Sequence, residues 1–299
     1  MNNAAIMVKD IVKRFGKKVA VDRVNFQVST GCVCGLVGPN GAGKTTTIRM
    51  LLDLWRPNSG EIQVLGLDPK QDSLEIRRRI GYVPEKHNIY EWMRVRQVLD
   101  FTSSVYPRWD RQEFERINAL FKLPMDRKVK ELSRGELAKL ALTIALSHKP
   151  ELLILDEPTS GLDPLIRREF LEAIVGLLQS GDRTVFFSTH ILSDVERVAD
   201  RIIIMNEGTI AADDSLAGLR ARFSKVSFLF EQVPPHDLAF PGARRVERGQ
   251  REWIAIFEAK DEAEIRTIAK TIGATDFLIQ PMTLEDIFVE LVGQRGGAA

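Results

Sequence analysis

Apolar and polar residues alternate through the first twenty-eight positions. "AIMVKDIVKRF" and "VAVDRVNFQV" each put their apolar side chains on one face of an extended chain, which predicts edge or antiparallel strands. The pattern then tightens. "CVCGLVG" is a short, nearly continuous apolar run, as a strand buried on both faces requires. It leads straight into glycines and a helical stretch, "KTTTIRMLLDLW". "RPNSGEIQVLG" turns back into a strand, and "RRRIGYVPE" reads as another.

From about Trp92 to Pro150 the period becomes helical, in "RVRQVLDFTSSVY", "RQEFERINALF" and "SRGELAKLALTIALSH". Strand and helix then alternate again, in "ELLILDEP", "PLIRREFLEAIVGLLQ", "RTVFFSTH", "LSDVERVAD" and "RIIIMNEG". This is an α/β core with a helical insertion at about 88–150. Near Ala217 the style changes to strand, strand, strand, helix, strand, helix, from "KVSFLFEQV" to "TLEDIFVELVG", with loops at "VPP" and "FPG". The expectation is a core over 1–216 and a small α+β domain over 217–299, its last residues "GQRGGAA" disordered.

Three segments carry chemistry. "GPNGAGKT" fits GxxxxGK[ST], follows a buried strand and opens a helix, the context the phosphate-binding loop requires. Gly38, Pro39, Asn40, Gly41, Ala42, Gly43, Lys44, Thr45 and Thr46 would form the cradle. Its glycines let backbone N–H groups close around phosphate oxygens. Lys44 would reach the β- and γ-phosphates, and the Thr45 hydroxyl would bind Mg²⁺. "LLILDEP" is an apolar strand ending in two carboxylates. Asp156 suits Mg²⁺, through water, and Glu157 can act as general base on the attacking water. "FFSTH" ends a further apolar strand at His190, which can bond a γ-phosphate and hold that water in line. A fourth segment, "ELSRGELAKL", starts a helix at Ser133. Ser133 and Glu136 form an S-x-x-E capping box worth ~1 kcal/mol. That pair leaves the poor helix former Gly135 without a reason.

The order of these motifs, with "SGLDP" after the acidic pair, resembles the ATP-binding subunit of ABC transporters over roughly residues 6 to 215. The resemblance implies a P-loop NTPase core of ABC ATPase type with an antiparallel β-subdomain. It implies an ATPase using ATP and Mg²⁺, and two chains facing head to tail as a homodimer or heterodimer. Phe15 falls where the family stacks an aromatic on adenine. Ser133 and Gly135 would contact the nucleotide on the partner's loop, with Glu136 beside them, and Asp163 would lie near the dimer seam. Two departures stand out: Arg134 and Glu136 depart from LSGGQ, and Glu85 stands where the family carries a glutamine. Glu85 can still serve Mg²⁺ or the lytic water.

The resemblance also implies a separate membrane permease. Ile89, Tyr90, Trp92 and Met93 would form the groove that receives it, although the same residues could pack inside the helical insertion. "PMTLEDIFVELVG" resembles the end of ABC-2-type exporter ATPases, and an amphipathic helix explains it equally well. The chain would then sit in the cytoplasm, peripherally on the inner face of the membrane.

Bulk properties narrow this little further. Forty-two basic and 41 acidic residues give a formal net charge of +1, so no electrostatic case exists for nucleic acid. The N-terminus lacks the pattern of a secretory signal, and no apolar run approaches the ~18 residues of a membrane helix. Cys32 and Cys34 are the only cysteines and read as small buried hydrophobes of a central strand. A soluble ABC-type ATPase with a non-transport role, and an ATP-binding module without hydrolysis, are the competing readings.

Overall fold

The computed structural model describes residues 4–178, 183–258 and 260–293. The expectation of disorder after Gly293 lies outside the described residues. The chain divides into two compact units, 1–213 and 214–299.

In the first unit the alternating segments form strands β1 (Ala4–Phe15) and β2 (Lys18–Ser29), paired antiparallel. β3 (Val33–Val37) follows, and β4 (Ser59–Val64) pairs antiparallel with β1 on its other side. β5 (Ile80–Val83), β6 (Leu152–Asp156), β7 (Thr184–Thr189), β8 (Arg201–Asn206) and β9 (Thr209–Asp214) complete a second sheet, in the order β5-β6-β7-β3-β8-β9. Its pairs from β5 through β8 are parallel. Every residue of β6 and β7 is buried, which is why both segments read as unbroken apolar runs. The two sheets share one core, where Phe26 of β2 stacks on Phe186 of β7 at 5.7 Å. Because β3, β6 and β7 are parallel and adjacent, the segments leaving their C-terminal ends emerge side by side.

The helices are α1 (Lys44–Leu51), α2 (Pro69–Arg79), α3 (Val95–Val105), α4 (Arg111–Phe121), α5 (Arg134–Leu146), α6 (Pro164–Leu178) and α7 (Leu192–Val198). Two boundaries differ from the sequence pattern. Arg77, Arg78 and Arg79 end α2 rather than open a strand; Asp68 caps that helix by accepting from the Lys70 N–H, with Pro69 in its first turn. α1 stops at Leu51 instead of running to Trp55, and Asp53 beyond it has φ of 51°.

The second unit opens with α8 (Leu216–Arg222), capped by Ser215, where the pattern gave no element. It continues with β10 (Phe223–Leu229), β11 (Ala243–Arg248), β12 (Glu252–Glu258), α9 (Glu262–Thr271), β13 (Asp276–Gln280) and α10 (Leu284–Val292). The strands form an antiparallel sheet in the order β11-β12-β10-β13. Val226, Phe228, Trp253 and Phe257 pack with Ile265 and Ile268 of α9.

Among the described residues, no helix is long and apolar enough to cross a membrane. Cys34 is fully buried in β3 and Cys32 half-buried before it. Burial pushes both thiols up, Cys34 furthest, which makes them poor nucleophiles and supports the structural reading.

Candidate functional site

The strand ends of β3, β6 and β7 converge on one cleft of about 480 Å³. From the first comes the loop before α1. Gly43 caps that helix with φ of 108°, and a Cβ there would lie 2.6 Å from the Ala20 carbonyl oxygen. No side chain caps α1, and no acidic residue stands in its first turn. Its N–H groups therefore face the cleft with the positive end of the helix dipole. Gly38 is held by space: a Cβ would meet the Met205 carbonyl oxygen at 2.2 Å. Lys44 is buried, and its ammonium donates to the carbonyls of Gly38 at 2.7 Å and Pro39 at 3.3 Å. Ala42 is buried behind the loop.

β6 delivers the acids. Asp156 is buried and accepts from Ser188 at 2.6 Å and from Thr45 at 3.1 Å. Burial pushes its carboxyl up, the bonds from Ser188 and Thr45 pull it down, and the charges of Glu85 and Glu157 add to the rise. Glu157 is buried too, and its backbone is left-handed, with φ of 49°. Its N–H donates to the Ser188 hydroxyl at 3.0 Å, which fixes that costly conformation. One carboxylate oxygen of Glu157 lies 3.0 Å from Lys44 Nζ and the other 2.8 Å from His190 Nδ1. Glu157 is thus held between two partners, a relation that adjacency in the sequence does not give.

Phe15, Asn40, Gly41 and Thr46 also line the cleft, as does the exposed Glu85. Phe15 is 44% exposed and lies edge-on to Trp55 at 5.0 Å. Lys18 and Ala20 line the cleft as well and carry no motif signal; Ser160, the first residue of "SGLDP", also lines it and is not among the expected site residues. Ser188 was equally invisible as a site residue, although "FFSTH" contains it.

Ser133, Gly135, Glu136 and Asp163 do not line this cleft. A second cleft shares Glu85, Glu157 and Ser160 with the first and adds Arg134 and Gly161.

Residues 21–160 match the ABC transporter family. The chain is 40% identical over 222 residues to the probable multidrug ABC transporter ATP-binding protein YbhF of Escherichia coli K12. That match takes in 73% of this chain but only 38% of the relative, so the chain spans well under half of that protein's length. It is 32% identical over 302 residues to Nod factor export ATP-binding protein I of Cupriavidus metallidurans, which covers 98% of both chains. A solved ATP-binding subunit of an ABC transporter, 30% identical, superposes with a TM-score of 0.66 over 72% of this chain and 92% of that one.

The chain belongs to the ATP-binding subunits of ABC transporters.

The donor set of this subunit fits the Mg²⁺ that an ATP site implies. A hydroxyl and a carboxylate, Thr45 in the first turn of α1 and the buried Asp156, stand 3.1 Å apart. Among the described residues no cluster of three acidic, histidine or cysteine side chains forms an all-protein cage. Mg²⁺ keeps water and binds through one or two protein oxygens plus substrate phosphates, which Thr45 and Asp156 can supply.

The departures from LSGGQ can now be placed. Ser133 caps α5 and accepts from the Glu136 N–H at 3.2 Å, while Glu136 accepts from the Ser133 N–H at 2.8 Å and from Arg127 at 2.9 Å. Burial opposes ionisation of Glu136, but the Ser133 bonds and the Arg127 charge outweigh it and hold the carboxyl below its usual range. Its negative charge is therefore neutralised within its own chain. Arg134 reaches toward the Gly161 carbonyl at 3.5 Å. Gly135 has a packing reason as well: a Cβ would lie 2.8 Å from the Ile166 side chain of α6. Asp163 is exposed and caps α6, accepting from the N–H groups of Leu165 and Ile166.

Proposed function

We propose that this chain binds and hydrolyses ATP to drive export through a separate ABC-2-type membrane permease. The observation that carries this reading is the convergence of Lys44, Glu157 and His190 from three strand ends on one cleft, with the buried Asp156 bonded to Thr45 of its lining. Export is favoured by the relatives, whose names are those of Nod factor export, bacitracin transport and multidrug transporter ATP-binding proteins.

Lys44 and the N–H groups of the loop hold the phosphates, and Phe15 stacks on the adenine. Thr45 and Asp156 hold Mg²⁺, with Glu85 at the edge of that set. The ion, when bound, neutralises charge that develops between the β- and γ-phosphates. Lys44 then exchanges Glu157 for phosphate oxygens. That exchange frees one Glu157 oxygen to take a proton from the attacking water, while His190 keeps the other in place. Ser133 and Gly135 of a second chain close over the γ-phosphate with the dipole of α5, and Asp163 lies at the seam. The subunit works from the cytoplasmic side, bound to its permease through Tyr90 and Trp92. The pair is a homodimer or a heterodimer of related chains; either way each nucleotide is shared.

The test is steady-state ATP hydrolysis by the purified chain with and without Mg²⁺, beside co-purification with the permease. Mg²⁺-dependent turnover that Lys44→Ala abolishes supports the reading. ATP binding without turnover, or location away from the membrane when the permease is present, refutes it.

A further inference from the structure

Phe15 ends β1 opposite Lys18 of β2, with Gly16 in the turn at φ of 58°. Its ring is 44% exposed and has no hydroxyl to anchor it, so its orientation depends on what it packs against. That partner is Trp55: the two rings meet edge to face, 71° apart, with centres at 5.0 Å. Trp55 itself does not line the nucleotide cleft. It is half-buried and held by Arg49. The Arg49 guanidinium lies over the Trp55 ring at 4.4 Å. The Arg49 carbonyl accepts from the Trp55 N–H at 3.1 Å and from the Leu54 N–H at 2.9 Å. Three further bonds tie the same loop to the end of β1. The Asn58 N–H donates to the Val12 carbonyl at 2.7 Å, the Arg14 N–H to the Asn58 side-chain oxygen at 2.7 Å, and Lys13 Nζ to the Arg56 carbonyl at 2.6 Å. Residues 54–58 therefore join the far end of α1, whose first residue is Lys44, to the strand end that carries Phe15.

We infer that Trp55 is a positioning residue for the nucleotide base: it fixes the Phe15 ring as a platform and acts on ATP only through that ring. The inference rests on the stacking of Phe15 on adenine proposed above. A ring already held in place loses little side-chain freedom when the base arrives, so the base binds more tightly than it would on a mobile ring. Stacking is also a contact of the base alone. The phosphates are held by different groups, Lys44 and the N–H groups of the loop. Loss of the Trp55 ring should therefore weaken binding of a nucleotide and leave a base-free polyphosphate unaffected.

The experiment is isothermal titration of the full chain with ATP and, as the base-free probe, with inorganic tripolyphosphate. Trp55→Ala is expected to raise the dissociation constant for ATP by about fivefold or more, a share of what base–aromatic stacking contributes. Its dissociation constant for tripolyphosphate should stay within about twofold of wild type, because no phosphate contact is lost. Trp55→Phe keeps a ring against Phe15 and should bring ATP binding back to within about twofold of wild type. Phe15→Ala should weaken ATP binding at least as much as Trp55→Ala. The double variant should be no weaker than Phe15→Ala alone, because Trp55 reaches the base only through Phe15. If Trp55→Ala weakens ATP and tripolyphosphate equally, or if alanine and phenylalanine at position 55 behave alike, Trp55 serves the fold and the inference fails. If Phe15→Ala weakens ATP binding and Trp55→Ala does not, the inference fails while the stacking stands. If Phe15→Ala leaves ATP binding unchanged, the stacking fails and the inference falls with it.

Discussion

The Thr159 hydroxyl donates a 2.6 Å hydrogen bond to the Asp194 carboxylate, and both residues are buried. Thr159 lies two residues after Glu157, and Asp194 four residues after His190. The bond therefore ties the turn that carries the acid to the helix that follows the histidine. Burial pushes the Asp194 carboxyl up, while Thr159 and the charges of Arg167 and Arg197 act against that rise. Thr159→Val keeps the shape and removes the donor. We expect kcat for ATP hydrolysis to fall about tenfold, as for a misplaced catalytic group. KM for ATP should stay within about twofold, because no phosphate contact is lost. Thr159→Ser should restore kcat. An equal change in KM, or no rescue by serine, would mean that the bond serves only stability.

Glu113 of α4 is buried and shared between Arg116 and Arg183, each at 2.9 Å from one oxygen. Burial alone would raise its carboxyl; the two guanidinium groups outweigh it and hold the carboxyl below the usual range. A depressed acid stabilises the fold above its unfolded pKa of about 4.3, and that stabilisation is lost as pH falls through the lower folded value. Glu113→Gln is expected to cost about 1–3 kcal/mol at neutral pH. The same variant should lose less stability than wild type on acidification below pH ~4.3. Denaturant melts across pH give both numbers; parallel curves would contradict the assignment.

Tyr90 and Trp92 are 59% and 69% exposed, with ring centres 6.0 Å apart, and the exposed Phe101 lies 6.4 Å from Tyr90. Rings this exposed contribute little to the core. The double substitution to Ala is predicted to abolish co-purification with the permease and leave the melting temperature unchanged. A large drop in melting temperature would return these residues to the packing role.

Glu85 is exposed between the two clefts, and its charge contributes to the rise of the Asp156 carboxyl. Glu85→Gln removes that charge, so Asp156 should ionise at lower pH. The acid limb of the pH–rate profile is therefore expected to move to lower pH, and stimulation of hydrolysis by the permease to change. An unmoved limb with unchanged stimulation would show that Glu85 has no part in the site.

The strands and the phosphate loop were readable because their signals are local. Runs such as "LLILD" and "TVFFST" are apolar since both faces of those strands are covered. α2 has no such signal, because only Pro69 and Ile76 of its eleven residues are buried, which leaves no apolar stripe. The motifs marked Lys44, Asp156, Glu157 and His190 individually. Their mutual contacts, and the role of Ser188 beneath both acids, depend on strand neighbours far apart in sequence. The same holds for Arg127, which neutralises Glu136, and for Ile166, which requires a glycine at 135. Neither partner has a pattern of its own.

The central claim is that Glu157 activates the attacking water while Lys44 and the loop hold the nucleotide. It is tested most directly by measuring Mg²⁺-dependent ATP hydrolysis and retained nucleotide on purified Glu157→Gln protein. Amide for carboxylate removes the base and keeps the shape. We predict a rate lower by about 10²–10⁴-fold, with intact ATP retained on the protein. Hydrolysis at the wild-type rate would contradict the account.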